Sequence, residues 1–171
     1  TMAYGYGLSM TPLQLAQAYA VLAGDGLSRP ISLVRVDKPS IARRVVGPET
    51  ARNVVAMLET VVTSEGTGIK ANVTGYRVAG KTGTARKVAA GGYAQDRHTA
   101  VFAGLVPATA PRLVIVVVVD EPKGGVYYGG DVAAPVFSAV AAGALRILAV
   151  PPDAADPVAD KPLTKLASSS P

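Results

Sequence analysis

The stretch Val78-Ala79-Gly80-Lys81-Thr82-Gly83-Thr84-Ala85 lies inside a longer run, Tyr76 to Arg86, whose valines, threonines and alanines read as extended chain. Two similar runs follow, Thr99 to Val106 and Leu113 to Asp120, set off by turns carrying Gly or Pro. Three sequential strands joined this way predict an antiparallel meander. The last, Leu-Val-Ile-Val-Val-Val-Val from Leu113, is apolar on both faces, so it is expected to lie centrally in a sheet covered by helices on each side. A helix from Pro135 to about Ala149 supplies one cover through Val136, Phe137, Val140, Leu145 and Leu148.

Upstream, Thr11-Pro12-Leu13-Gln14 reads as a capping box with proline at the first helical position. The helix it opens runs to about Ala23, with Leu15, Ala18, Tyr19 and Leu22 on one face and Gly24-Asp25-Gly26 as its stop. Ile31 to Val36 reads as a short strand. A second amphipathic helix starts at Gly47-Pro48-Glu49, places Ala51, Val54, Val55, Leu58 and Val62 in one stripe, and ends near Ser64 to Gly68. The expected fold class is α/β, in the α+β sense of helices packed on an antiparallel sheet. Residues 1–150 form the folded part and 151–171, rich in Pro, Asp, Ala and Ser, a poorly ordered tail.

With 49% hydrophobic and 17% charged residues among 171, the chain carries enough apolar mass for one core and is excluded from the disordered class. Its longest apolar strand-like run, Leu113 to Val119, is far short of the roughly 20 residues that cross a bilayer, and no signal peptide is expected. Seventeen Lys and Arg against 12 Asp and Glu leave a net charge of +5, scattered rather than clustered, which speaks against nucleic-acid binding. The absence of cysteine excludes thiolate chemistry, and a single histidine, His98, gives no basis for a metal site. His98 is expected on the sheet surface, and Asp120-Glu121 as a strand end. No cofactor is implied.

Gly75 to Thr82 fits Gly-x-x-x-x-Gly-Lys-Thr, the phosphate-cradling loop of nucleotide-binding proteins. That loop needs a helix opening at its Lys-Thr, so that free backbone N–H groups meet the phosphate. The residues after Thr82, Gly83-Thr84-Ala85-Arg86-Lys87, carry no helical stripe. The other reading takes Lys81-Thr82-Gly83 as the Lys-Thr-Gly strand motif that borders a serine nucleophile. Its neighbours occur in a fixed order. Gly5-Tyr6-Gly7 with Met10 to Ala16, then Val78 to Ala85, Phe102-Ala103-Gly104, Val119-Asp120-Glu121-Pro122, and Gly129-Gly130 with Ala134 to Phe137 together closely resemble the C-terminal half of the transpeptidase domain of division-specific class B penicillin-binding proteins, the penicillin-binding protein 3 type.

The resemblance covers about residues 2 to 152 and implies the fold of serine β-lactamases and penicillin-binding transpeptidases, of which this chain gives about three strands and the last helix. It implies a peptidoglycan D,D-transpeptidase acting on stem peptides ending in D-Ala-D-Ala, inhibited by β-lactams, at the periplasmic face of the bacterial inner membrane and the division septum, among membrane proteins of the division machinery. The family's nucleophile lies in Ser-x-x-Lys, with Ser-x-Asn as a second motif, and no serine here fits either. Thr67-Gly68-Ile69-Lys70 does not substitute, since it follows a glycine stop. The expectation is therefore a C-terminal piece whose partner is the preceding part of the same domain, which carries both motifs and, further upstream, the membrane anchor. Alone, the chain is expected to be inactive. A non-catalytic peptidoglycan-binding module and a nucleotide-binding protein are the alternatives.

By the same resemblance, Lys81 sits beside the nucleophile, the Thr84 N–H is an oxyanion donor, and the Thr82 and Thr84 hydroxyls bind the substrate carboxylate. Strand alternation puts Thr82 and Thr84 on one face and Lys81 with Gly83 on the other, so Lys81 has to reach around the strand. Gly83, without a side chain, lets a substrate backbone lie along the strand. Without the flanking motifs the two threonines would be ordinary strand residues. Arg86 either adds positive potential or is a solvated strand end. Tyr127 and Tyr128 stand where this branch of the family carries aromatic pocket walls, with core packing or a loop position as the other reading.

Overall fold

The computed structural model describes residues 8–38, 40–89 and 92–154. Gly5-Tyr6-Gly7 and the part of the expected tail from 155 to 171 lie outside them. Helix α1 (Pro12–Ala23) opens on the capping box, with Gln14 N–H donating to Thr11 Oγ1 and Thr11 N–H to Gln14 Oε1. A two-residue ladder pairs β1 (Leu27–Ser28) with β2 (Arg43–Arg44), and α2 (Pro48–Glu59) runs on into a 3₁₀ turn over Thr60–Val62. After a second 3₁₀ turn, Ile69–Ala71, come β3 (Ala79–Ala89), β4 (Gly92–Val106) and β5 (Leu113–Asp120), an antiparallel meander in the order β3-β4-β5. The short helix α3 (Gly129–Val132) and α4 (Ala134–Ile147) complete the described fold.

The register assigns the faces. Leu105 pairs with Ala79 and Val114, and these pack with Val55, Leu22 and Leu58 of α2 and α1. Phe102 and Val106, with Ile115, Val117 and Val119, pack on the other side against Phe137, Ala141 and Leu145 of α4. Helices thus cover both faces, which is why β5 is apolar throughout. Its position differs from expectation: among the described residues β5 pairs only with β4, so β4 is the central strand and β5 an edge. Two-sided apolarity reports helices above and below, and carries no information about strand neighbours.

Other expectations are corrected. Ile31 to Val36 forms no strand; Leu33 and Val34 are exposed, and Ser32 Oγ closes a local turn onto Val34. β-prone residues with no partner strand remain loop. The third element starts at Ala79 because Tyr76 is engaged elsewhere, bridging Val73 and donating its hydroxyl to the Val150 carbonyl. On α4 the buried positions are Ala134, Phe137, Ala141 and Leu145, whereas Val136, Val140 and Leu148 face outward. Small alanines let the helix approach the sheet, so the buried stripe follows shape rather than side-chain size. Burial pushes the Tyr19 phenol on α1 up.

Gly129–Ile147 is long and apolar enough, by length and composition, to cross a membrane, which the strand-based reading of the sequence overlooked; here its Phe137, Ala141 and Leu145 are packed against the sheet. The first residues of the expected tail are held in place. Asp153 accepts from the N–H groups of Arg77 and Thr109 and from the Thr109 hydroxyl, and Ala154 N–H donates to the Gly75 carbonyl.

Candidate functional site

β3 turns Thr82 and Thr84, opposite Phe102 and Ala100, toward the α4 side of the sheet, and Lys81 and Gly83 toward the side of α1 and α2. No strand lies beyond β3 among the described residues. The Lys81 stem bends round that free edge, bringing Nζ within 3.1 Å of the Thr82 carbonyl oxygen and 3.4 Å of Thr82 Oγ1. The ammonium and the Thr82 hydroxyl therefore meet although their Cα–Cβ bonds point to opposite faces. Gly83 is exposed, and a Cβ there would meet only the Val101 side chain at 3.7 Å.

Thr84 Oγ1 accepts a 3.0 Å hydrogen bond from the N–H of Gly129, at the start of α3. A Cβ on Gly129 would overlap the carbonyl oxygens of Val101 and Gly83, so only glycine lets this helix start rest on β3 and β4. The oxygen of Thr84 is thus in use, while its hydroxyl proton is left to donate. Thr84→Val, which keeps the shape and deletes the acceptor, is expected to lower stability by about 0.5–1.5 kcal/mol, with Thr84→Ser near wild type. Urea unfolding midpoints check this, and equal midpoints for all three would remove the bond's importance.

Thr82 and Thr84 border a cavity of about 270 Å³ with Thr67, Tyr128, Gly129, Gly130 and Asp131, whereas Lys81 lines an adjoining hollow of about 430 Å³ that shares Thr67 with it. Thr67 Oγ1 lies 2.8 Å from Thr82 Oγ1. A hydrogen bond with Tyr127 holds the Tyr128 phenol above its ordinary value, with the charge of Tyr127, burial and Asp131 adding to this. Arg86 and Tyr127 are not in this cavity. They line a neighbouring hollow of about 310 Å³ with Asp96, His98 and Pro122. The Tyr127 and Tyr128 rings, 4.6 Å apart, separate the two. His98 is buried rather than on the sheet surface, stacked on Tyr127 at 4.0 Å and 13°. Its burial comes from the Tyr127 loop folding over the strand, a tertiary event that a strand pattern does not register.

The remaining features carry other roles. Asp120 and Glu121 are both held by Lys87 Nζ at 3.0 Å, which lowers the Asp120 carboxyl, while Glu121 first and Asp120 second raise the Lys87 ammonium. Residues 79–89 are strand throughout, so no helix opens at Lys81-Thr82 to receive a phosphate. A larger hollow of about 470 Å³ near α2 gathers Asp25, Arg52, Glu59 and Arg77, but those charges are paired with each other and no residue of the strand motif lines it. Sequence reasoning missed Asp131, and it set Thr67 aside because the Thr67-to-Lys70 pattern follows a glycine stop. Gly129 was visible as part of a motif.

Residues 1–142 match the family model described as penicillin binding protein transpeptidase domain. The chain belongs to that family. Among curated transpeptidases, it is 47% identical over 154 residues to peptidoglycan D,D-transpeptidase FtsI of Escherichia coli strain K12, covering 90% of this chain and 26% of that protein. It is 46% identical over 153 residues to the probable peptidoglycan D,D-transpeptidase PbpC of Pseudomonas aeruginosa, covering 90% and 27%. Among solved structures, the apo transpeptidase domain of Burkholderia pseudomallei penicillin-binding protein 3 superposes with a TM-score of 0.84 at 46% identity, over 91% of this chain and 47% of that one. This transpeptidase-family chain therefore spans about a quarter of the length of the curated relatives it matches, and about half of the solved domain. The mixed helix and antiparallel-sheet fold agrees with that domain.

Proposed function

We propose that this chain supplies the Lys-Thr-Gly-Thr strand of a serine-type peptidoglycan D,D-transpeptidase, which cross-links stem peptides ending in D-Ala-D-Ala and is acylated by β-lactams that mimic that end. The observation that carries the reading is the Lys81 ammonium reaching the Thr82 hydroxyl at 3.4 Å, on a strand of a transpeptidase-family fold whose Thr82 and Thr84 line one open cavity. These groups donate, as recognition of a terminal carboxylate requires. In this reading the Thr84 N–H is one oxyanion donor, Lys81 stands beside the nucleophile, and Gly83 leaves room for the substrate backbone. Tyr128 walls the cavity, and Arg86 and Tyr127 line the separate hollow beyond it.

The serine nucleophile belongs to another part of the domain, carrying Ser-x-x-Lys and Ser-x-Asn. Residues 1–150 are then part of one transpeptidase domain and 151–171 an extension of it. Helix α1 has no fully buried residue, and Leu8, Met10 and Leu13 are exposed at its start; with the free edge of β5 they form the surface on which the rest of the domain would close, leaving the edge of β3 to the substrate. The resulting enzyme acts at the periplasmic face of the inner membrane during septal wall synthesis, with its anchor and its division partners contacted outside this chain.

Intact mass before and after incubation with a penicillin tests the assignment. This polypeptide alone is expected to gain no mass, having no serine in either motif, and a companion polypeptide bearing Ser-x-x-Lys is expected to gain one penicillin in its presence. A stoichiometric adduct on this chain alone would overturn the assignment. Stem-peptide binding without acylation in the complete protein would make it a binding module, and magnesium-dependent nucleotide binding would revive the phosphate-loop reading.

A further inference from the structure

The turn from Thr67 to Lys70 faces β3 across the cavity, and two of its side chains reach the site. Thr67 Oγ1 is 2.8 Å from Thr82 Oγ1, and Lys70 Nζ is 2.8 Å from Asp131 Oδ1. The backbone fixes the turn there, since the Thr67 carbonyl packs so closely on Gly130 that a Cβ would overlap it. A hydroxyl oxygen accepts two hydrogen bonds and donates one. Lys81 Nζ, which can only donate, approaches Thr82 Oγ1 at 3.4 Å. If Thr67 also donates to that oxygen, both its lone pairs are taken and the Thr82 proton must point to another acceptor, which the open cavity supplies. Asp131 lines the same cavity, and its carboxylate would repel an anionic ligand unless offset.

We propose that Thr67 and Lys70 are positioning residues for carboxylate recognition: Thr67 makes Thr82 a donor toward the cavity, and Lys70 neutralises Asp131 beside it. This rests on the reading of the cavity as the place where a substrate carboxylate binds. Thr67 and Lys70 themselves need not touch the ligand. Their effect is on selectivity for ligands that carry the negative charge, and should be absent for ligands that lack it.

The test measures acylation of the complete transpeptidase by a penicillin with a free carboxylate and by its neutral methyl ester, and takes the acid-to-ester ratio of the second-order rate constants. Thr67→Val and Lys70→Met are each expected to lower that ratio about fivefold, the size of one hydrogen bond or one partly exposed ion pair. Thr67→Ser is expected to retain it, and adding Asp131→Asn to Lys70→Met to restore it, because the charge that needed offsetting is gone. Damage to the fold would slow acid and ester alike, and an unchanged ratio in that case overturns the proposal. So does a double variant that stays as low as Lys70→Met. If the wild-type ratio shows no preference for the acid, the carboxylate reading of the cavity falls and this inference with it; a wild-type preference that no variant moves removes the inference alone.

Discussion

Lys81→Ala in the complete transpeptidase is expected to lower penicillin acylation by roughly 10²- to 10⁴-fold, the range over which a positioned proton-transfer group acts. It should leave the thermal midpoint within the scatter of surface substitutions. The asymmetry follows from its contacts. Lys81 is exposed, and the hydrogen bonds of its Nζ are to Thr82, one to the carbonyl and one to the hydroxyl. Removing it deletes no buried apolar surface and strands no buried partner, so stability has little to lose. The ammonium approaches the Thr82 hydroxyl, which lines the cavity, and in the proposed reading it faces both an attacking hydroxyl and a ligand carboxylate from there. Lys81→Arg keeps the charge but replaces a compact, rotatable head with a planar fork that does not readily give up its proton, so it should not restore the rate. Stopped-flow acylation with a fluorescent penicillin checks the rate, and a loss of less than about tenfold would place Lys81 outside the proton-transfer chemistry.

That contrast between chemistry and packing also explains what was legible in the sequence. The strand motif was readable because period-2 alternation and the surrounding Gly and Thr residues are local signals, and they sorted Thr82 and Thr84 from Lys81 correctly by face. The capping box of α1 and the stripe on α2 were readable for the same reason. What escaped depended on residues far apart in the chain. Thr84 meets Gly129 across 45 positions, Lys70 meets Asp131 across 61, and Thr67 meets Thr82 across 15, with no composition or spacing that marks them as partners. On α4, Phe137 and Leu145 are buried as expected, but side-chain size also pointed to Val136 and Val140, where close packing selected Ala141. For β5 the helices expected on both faces are there, but the central position inferred from them did not follow, since among the described residues it pairs only with β4.

Phe102→Ala is expected to cost about 3–5 kcal/mol, a large share of the roughly 5–15 kcal/mol that a domain has in total. Phe102 is fully buried in the middle of β4, directly opposite Thr82 on one side and Val117 on the other. Its ring meets Phe137 of α4 at 4.8 Å and 59°, an edge-inclined contact of the favourable kind. The same ring lies under the site strand, for a Cβ at Gly80, the residue before Lys81, would overlap it. The cavity left by truncation would therefore open directly beneath the backbone that carries Lys81 and Thr82. Collapse into that space would move the donors relative to α3, so the acylation rate should fall along with the midpoint, even where the protein is still folded. Val118→Ala, on a partly exposed position of the edge strand, is the control and should change neither by much. Denaturant unfolding read beside acylation at a temperature where both variants are folded separates the two effects. If Phe102→Ala lost stability and acylated at the wild-type rate, the site strand would be held by its ladder to β4 alone, and the ring would be core without being a support for the site.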